Sequence, residues 1–226
     1  MQITEIYRSI QGESSFAGMP CTFVRLTACN LRCTWCDSEY TFTGGKKMSA
    51  QDVEKEVLSL APDGLVEFTG GEPMLQEREL LPLMERLLAQ GYTLLLETSG
   101  ERPLERVPSA VHKIVDVKCP GSGEGGTFHL ANLQTLTPRD EVKFVLAGRE
   151  DYEFARGFTC EHGLEKKTGG VIFSPVFAKI PSTERDTSNC DLAPRLLTEW
   201  ILQDKLNVRL GLQIHKFIWP PATKGV

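Results

Sequence analysis

An alternation running the length of the chain constrains the fold most: short β-branched and aromatic runs separated by amphipathic segments. The strand-like runs are residues 22–27, 65–69, 93–98, 113–118, 141–146, 171–174 and 208–213. The helix-like segments are residues 50–60, 76–90, 130–136, 151–162 and 192–206. Ser49 with Asp52 predicts a capping pair at the first helix, and Gly91 predicts the end of the second. Strands alternating with helices imply a mostly parallel sheet with its helices outside. About six such units in 226 residues predict an α/β fold, an incomplete TIM-like (β/α) barrel, because eight units usually need about 250 residues. The glycine-rich stretch 119–127 and the polar stretch 181–189 read as loops rather than linkers, so 1–226 reads as a single domain.

The strands carry a second message. Strands of a parallel sheet are normally buried on both faces and read as continuous apolar runs. Here Arg25 and Thr27 alternate with Val24 and Leu26, Glu67 and Thr69 with Val66 and Phe68, and Asp116 and Lys118 with Val115 and Val117. Glu97 and Ser99 end the third run, Lys143 sits in the fifth, and Ser174 ends the sixth. In a barrel these positions gather at the C-terminal ends of the strands, the mouth where chemistry is located. An antiparallel sheet with one wet face is the alternative, and the helices between the strands argue against it.

Composition narrows the function by exclusion. A net charge of -5 gives no support to broad nucleic-acid or acidic-membrane binding. No opening signal segment and no apolar run long enough to span a bilayer are read. Seven cysteines, an odd number without a secretion signal, predict reduced thiols and a cytoplasmic location.

Three of those cysteines, Cys29, Cys33 and Cys36, stand in one loop directly after the first strand-like run. A zinc site would need a fourth ligand returning from Cys21, Cys119, Cys160 or Cys190. A redox pair at Cys33 and Cys36 would leave Cys29 unexplained. An iron–sulfur cluster held by three thiolates uses all three and leaves one iron open to another molecule. Cys160 and Cys190 read as small buried hydrophobes, and the stripe Leu80, Leu83, Met84, Leu87, Leu88 as a core-facing helix side.

The cysteine loop, with Trp35 before its last cysteine and Gly70-Gly71-Glu72-Pro73 after the next strand, resembles the signature of radical SAM enzymes. That resemblance implies a [4Fe–4S] cluster on Cys29, Cys33 and Cys36, with S-adenosylmethionine bound at the open iron. It sharpens to the 7-carboxy-7-deazaguanine synthase family over essentially the whole chain. The opening segment from Ile6 through Ile10-Gln11-Gly12-Glu13 is similar to that family's start, and Phe23-Val24-Arg25-Leu26 leads into the cysteines. Glu97-Thr98-Ser99-Gly100 and Leu212-Gln213-Ile214-His215-Lys216-Phe217 also match. Activating enzymes of the same cysteine spacing do not carry the last of these.

The resemblance implies ring contraction of 6-carboxy-5,6,7,8-tetrahydropterin to 7-carboxy-7-deazaguanine with loss of ammonia, a step toward queuosine. A radical generated from the cofactor removes hydrogen from C6 of the pterin. The chain is expected to need an external one-electron donor such as flavodoxin or ferredoxin and to form a homodimer. Position by position, the S-adenosylmethionine contacts fall on Trp35, Cys36, Asp37 and Gly71, and on the segments Asp116-Val117-Lys118 and Ser174-Pro175-Val176-Phe177. The substrate contacts fall on Ile10, Gln11, Gly12, Arg25, Thr69 and Pro221, with Arg25 on the substrate carboxylate. Mg²⁺ falls on Ser38, where other members place a threonine. Without the resemblance, Gln11-Gly12 reads as a turn, Arg25 as an ion pair with Glu67 or Glu97, and His215 equally as structural or as a substrate neighbour. No residue is marked as general base. A glycyl-radical activating enzyme and a non-catalytic zinc protein are the rival readings.

Overall fold

The structure is a computed structural model that describes residues 1–61, 64–177, 190–220 and 223–225. Its nine strands form one open sheet: β1 (Gln2–Ile10), β2 (Pro20–Leu26), β3 (Lys46–Lys47), β4 (Leu65–Gly70), β5 (Thr93–Thr98), β6 (His112–Asp116), β7 (Glu141–Leu146), β8 (Gly170–Pro175) and β9 (Arg209–Leu210). From β2 through β9 the pairs are parallel in the order β2-β4-β5-β6-β7-β8-β9. The sheet remains open, and β1 and β3 extend it with antiparallel pairs.

The helices are α1 (Ala50–Leu60), α2 (Glu77–Ala89), α3 (Arg149–His162), α4 (Leu164–Lys167), α5 (Pro194–Gln203) and α6 (His215–Ile218). Ser49 caps α1, its hydroxyl accepting from the Asp52 N–H while the Asp52 carboxylate accepts from the Ser49 N–H. Gly91 takes φ +89 just past α2, as its position predicts. Pro194 opens α5, where a missing N–H costs nothing.

Side-chain parity divides the sheet into two chemistries. One face carries Val24, Val66, Phe68, Leu96, Val115 and Phe144, all at most 1% exposed and packed beneath the helices. The α2 stripe Leu80, Leu83, Met84 and Leu87 is wholly buried there, and Leu88 only partly. The other face carries the polar residues whose parity stood out in the sequence. Below them, Cys21, Phe23, Leu65, Leu95 and Ile114 form a smaller apolar cluster that floors the concave side.

Four expectations change. Residues 2–10 form a strand that their sequence does not announce, because their apolar positions follow neither strict alternation nor a continuous run. They pair with β2 across an irregularity between Ile3 and Glu5. Residues 130–136 form a 3₁₀ turn, Leu130–Gln134, rather than an α-helix. The Asn132 amide there donates to the Gly100 and Arg102 carbonyls while its oxygen accepts from the Leu104 N–H, which ties the segment to the neighbouring loop. The last strand shortens to Arg209–Leu210. Cys160 is exposed: the buried line of α3 runs through Tyr152, Ala155 and Thr159.

Candidate active site

The C-terminal ends of the parallel strands rim a cavity of about 510 Å³. Successive strands set polar side chains on its wall, among them Arg25 from β2, Glu67 and Thr69 from β4, Glu97 from β5, Asp116 from β6 and Lys143 from β7. The register explains the convergence. Arg25 lies beside Thr69 and Asp116 beside Lys143, so the inward parity is shared across the sheet.

The cysteine loop leaves β2 through Ala28, whose φ of 81° lies in the left-handed region that L side chains disfavour. The Ala28 N–H donates to the Thr41 carbonyl at 2.7 Å, and its carbonyl accepts from the Glu72 N–H at 2.8 Å. A Cβ on Gly71 would lie 2.1 Å from the Ala28 carbonyl oxygen and 2.9 Å from the Cys29 Cβ. A Cβ on Gly70, at φ +141, would lie 2.2 Å from the Leu26 carbonyl oxygen. The glycine pair lets the turn after β4 press against the cysteine loop. Glu72, fully buried, fastens that turn to the end of β5 by accepting from the Met74 N–H, the Thr98 hydroxyl, and the Ser99 N–H and hydroxyl.

Cys29, Cys33 and Cys36 are free thiols on the same cavity wall. Among the described residues no three His, Cys, Asp or Glu side chains are closed up around a metal position. The donor chemistry nevertheless suits iron and sulfide: three soft thiols, half-buried, with the Lys118 cation beside Cys33. Burial pushes the Cys33 thiol up to about 11, against the pull of Lys118, and raises Cys29 as well. Ligation there displaces protons. Ser38 also lines the cavity, its hydroxyl 3.8 Å from the Cys36 sulfur.

Opposite the cysteines, the loop after β1 and the segment 213–217 lock together. The Ile214 N–H donates to the Gly12 carbonyl at 3.1 Å, and the Gln213 amide donates to Glu13 at 2.7 Å. Lys216 reaches Asp37 at 2.6 Å and the Gln213 oxygen at 2.8 Å. Against partial desolvation by the neighbouring wall, the Lys216 ammonium beside the half-exposed Asp37 holds its carboxyl below its usual range. His215 packs so tightly on Gly12 that a Cβ there would lie 2.2 Å from the ring Nδ1. The same ring lines the cavity 4.0 Å from Glu13, and burial lowers its basicity. His215 thus both packs on the Gln11–Glu13 turn and faces the cavity.

Charge is concentrated on two cations. Arg25 donates through Nε to Glu5 at 2.9 Å and through Nη2 to the Tyr7 hydroxyl at 2.8 Å, while Tyr40 donates to the same Glu5 oxygen. Its partner is thus Glu5 on β1 rather than Glu67 or Glu97. Lys143 pairs with Glu13 at 2.6 Å, with Glu97 at close contact, and with Asp116 at 3.8 Å. Burial would keep Glu13 protonated, but Lys143 overrides it and holds the carboxyl far below its ordinary value.

The cavity brings together Ile10, Gln11, Gly12, Arg25, Cys29, Cys33, Trp35, Cys36, Asp37, Ser38, Thr69, Gly71, Asp116, Lys118, Val176 and Phe177. It does not bring in Val117, which packs in the helix-side core, nor Ser174 and Pro175, which are buried in β8. Pro221 lies outside the described residues. Both ends of the Gln11 amide are engaged within the protein, its oxygen by the Glu13 and Ser14 N–H groups and its nitrogen by Glu67. Sequence reasoning set Lys143 at the mouth of the strands by parity, but Glu5, Tyr7 and Glu13 carried no signal there. A lysine inside an apolar strand was the usable signal for Lys143.

An open (β/α) sheet with a three-cysteine loop at its mouth and a glycine turn locked against it defines a radical SAM protein. The model of the radical SAM superfamily matches residues 24–120. The 7-carboxy-7-deazaguanine synthase of Koribacter versatilis is 67% identical over 226 residues, with all of both chains covered. That of Chlorobaculum tepidum is 42% identical over all of this chain and 97% of its own. The crystal structure of QueE from Escherichia coli shares the fold at a TM-score of 0.71, with 24% identity over 94% of this chain and 93% of that one. The chain belongs to the 7-carboxy-7-deazaguanine synthase family.

Proposed function

We propose that the chain, acting as one unit over 1–226, converts 6-carboxy-5,6,7,8-tetrahydropterin to 7-carboxy-7-deazaguanine with release of ammonia. The observation that carries this reading is a single cavity walled on one side by the cysteine loop and on the other by the Gln11–Glu13 turn and segment 213–217. The relatives that match end to end are named for this product.

Cys29, Cys33 and Cys36 hold the [4Fe–4S] cluster, and Trp35, Asp37, Gly71, Asp116, Lys118, Val176 and Phe177 surround S-adenosylmethionine, with Val117, Ser174 and Pro175 behind them. Together the two groups supply, when bound, the carbon radical that begins the reaction. Everything else falls to the protein. Arg25 keeps Nη1 for the substrate carboxylate while Glu5 and Tyr7 hold the guanidinium in place. Ile10, Gly12 and Thr69 shape the pterin pocket, and Gln11 does so through its internal bonds; the resemblance also puts Pro221 among the substrate contacts. Ser38, on the cavity wall, would offer one hydroxyl oxygen to Mg²⁺, a hard cation that prefers oxygen ligands. A buried wall keeps water from the reacting carbon. Electrons come from an external one-electron donor such as flavodoxin or ferredoxin, two copies form a homodimer, and the thiols suit a reducing cytoplasm.

No helix among the described residues is long and apolar enough to cross a membrane. The test is anaerobic turnover of the carboxytetrahydropterin by reconstituted protein with a reductant, S-adenosylmethionine and Mg²⁺. Product is expected, and Cys33→Ala should lose brown colour and product together. Turnover by colourless Cys33→Ala protein, or none by the loaded wild type, would sink the assignment.

A further inference from the structure

Glu67 is a cavity carboxyl that the reading above leaves without work, and it is the most deeply buried of the carboxyls there. It lies on β4, 1% exposed, and its neighbours across the sheet are Phe23 on β2 and Leu95 on β5. Those two apolar side chains belong to the cluster that floors the cavity, so Glu67 sits at the boundary between floor and wall.

The Gln11 oxygen accepts two backbone N–H groups, from Glu13 and Ser14, each at 3.0 Å. The amide is thereby oriented, and its nitrogen must be the donor to Glu67 Oε2 at 3.1 Å. Glu97 stands on β5 two residues beyond Leu95, the register partner of Glu67, so the two carboxyls lie diagonally on one face within reach of each other. No cation pairs with Glu67 among the described residues. Lys143 is already shared by Glu13, Glu97 and Asp116, and Lys118 adds a second contact to Asp116. Two lysines thus face three carboxylates before Glu67 is counted. Two carboxyls in contact are held together only by a proton between them.

We infer that Glu67 carries a proton in the resting protein and donates it in a hydrogen bond to Glu97, acting as a positioning residue that fixes the Glu97 carboxylate against Lys143. Burial and the Glu97 charge raise the Glu67 carboxyl well above its ordinary value, in agreement with that placement. Of the remaining groups that face it, Glu13 reinforces the shift, and Tyr7 and Cys21 stay protonated themselves. Glu97 then presents one orientation to the cavity instead of swinging away from a like charge. The positioning role rests on the proposed reaction for its kinetic readout; the protonation does not.

The experiment has two arms. Infrared spectra of wild type and Glu67→Gln protein at neutral pH are expected to differ by a buried carboxylic-acid carbonyl stretch present only in the wild type. Absence of that band from the wild type overturns the inference whatever the protein turns over. In the kinetic arm, Glu67→Leu is expected to lower kcat/KM for the carboxytetrahydropterin by about tenfold or more. Glu67→Gln keeps a donor toward Glu97 and an acceptor for Gln11, and restores kcat/KM to within about threefold of wild type. It is also expected to remove the fall in rate predicted for the wild type as rising pH strips the Glu67 proton. Glu67→Gln protein as slow as Glu67→Leu, with its far-ultraviolet dichroism intact, overturns the inference. Should no form turn over the pterin, the proposed reaction fails and the infrared arm still decides.

Discussion

Single atoms decide much of this site. The Ala28 carbonyl oxygen receives the Glu72 N–H, and the space where Gly71 lacks a Cβ is filled by that same oxygen. Gly71→Ala must therefore push the cysteine loop away, and overpacking of this kind costs about 1–3 kcal/mol. Urea denaturation should show that loss, and an unchanged midpoint would refute the contact. Arg25 offers a second test. Lysine in its place keeps the charge but cannot hold Glu5 and Tyr7 while binding a carboxylate, because the fork is gone. Arg25→Lys is expected to raise KM for the pterin by about tenfold, the size of one lost charge-assisted hydrogen bond. Parity in the sequence placed Arg25 on the wall; the identity of its partner needed β1.

Elements contribute by register and by burial. Helix α2 sets Leu83 and its neighbours wholly out of water against the strands, so Leu83→Ala removes apolar contact and leaves a cavity. A loss of about 3 kcal/mol is expected, seen as a lower urea midpoint with an unchanged slope. This helix was legible, because its apolar spacing is local and periodic. The 130–136 segment has similar apolar residues, yet Asn132 bonds across to the 100–104 loop and the helix is not formed. Such a bond joins positions about thirty apart and leaves no periodic trace. The segment 213–217 behaves differently again. Lys216 is 7% exposed but its partner Asp37 is 52% exposed, so Lys216→Ala should cost well under about 1 kcal/mol in stability.

At the scale of the molecule, buried charge makes stability depend on pH. Lys143, against the cost of burial, holds Glu13 well below its ordinary value of 4.5, so the folded state binds its proton less readily than the unfolded chain. That stability is present above about pH 4.5 and is lost as pH falls toward the folded value. Glu67 has the opposite sign. Its raised carboxyl favours the folded state below about 4.5 and withdraws that support as pH rises through the folded value. Glu13→Gln should flatten the acid limb of the denaturation midpoint against pH, and a limb as steep as in wild type would contradict the Lys143 pairing. The cysteine loop lies outside the helix-side core, whose residues come from strands and helices on the other face. Iron chelation is accordingly expected to abolish colour while leaving far-ultraviolet dichroism unchanged.

The cysteine spacing, the glycine turn and the inward parity of Arg25, Glu97, Asp116 and Lys143 were all determined by the sequence itself. Each is a relation among residues a few positions apart, where covalent geometry alone sets which side chains share a loop or a face. Tertiary structure decided the rest: that Arg25 leans on Glu5, that Lys143 finds Glu13 across 130 positions, and that Gln213 finds Glu13 across 200. Those pairings follow from strand register and from which charges a dry wall leaves unmatched, and neither is encoded at any short spacing along the chain.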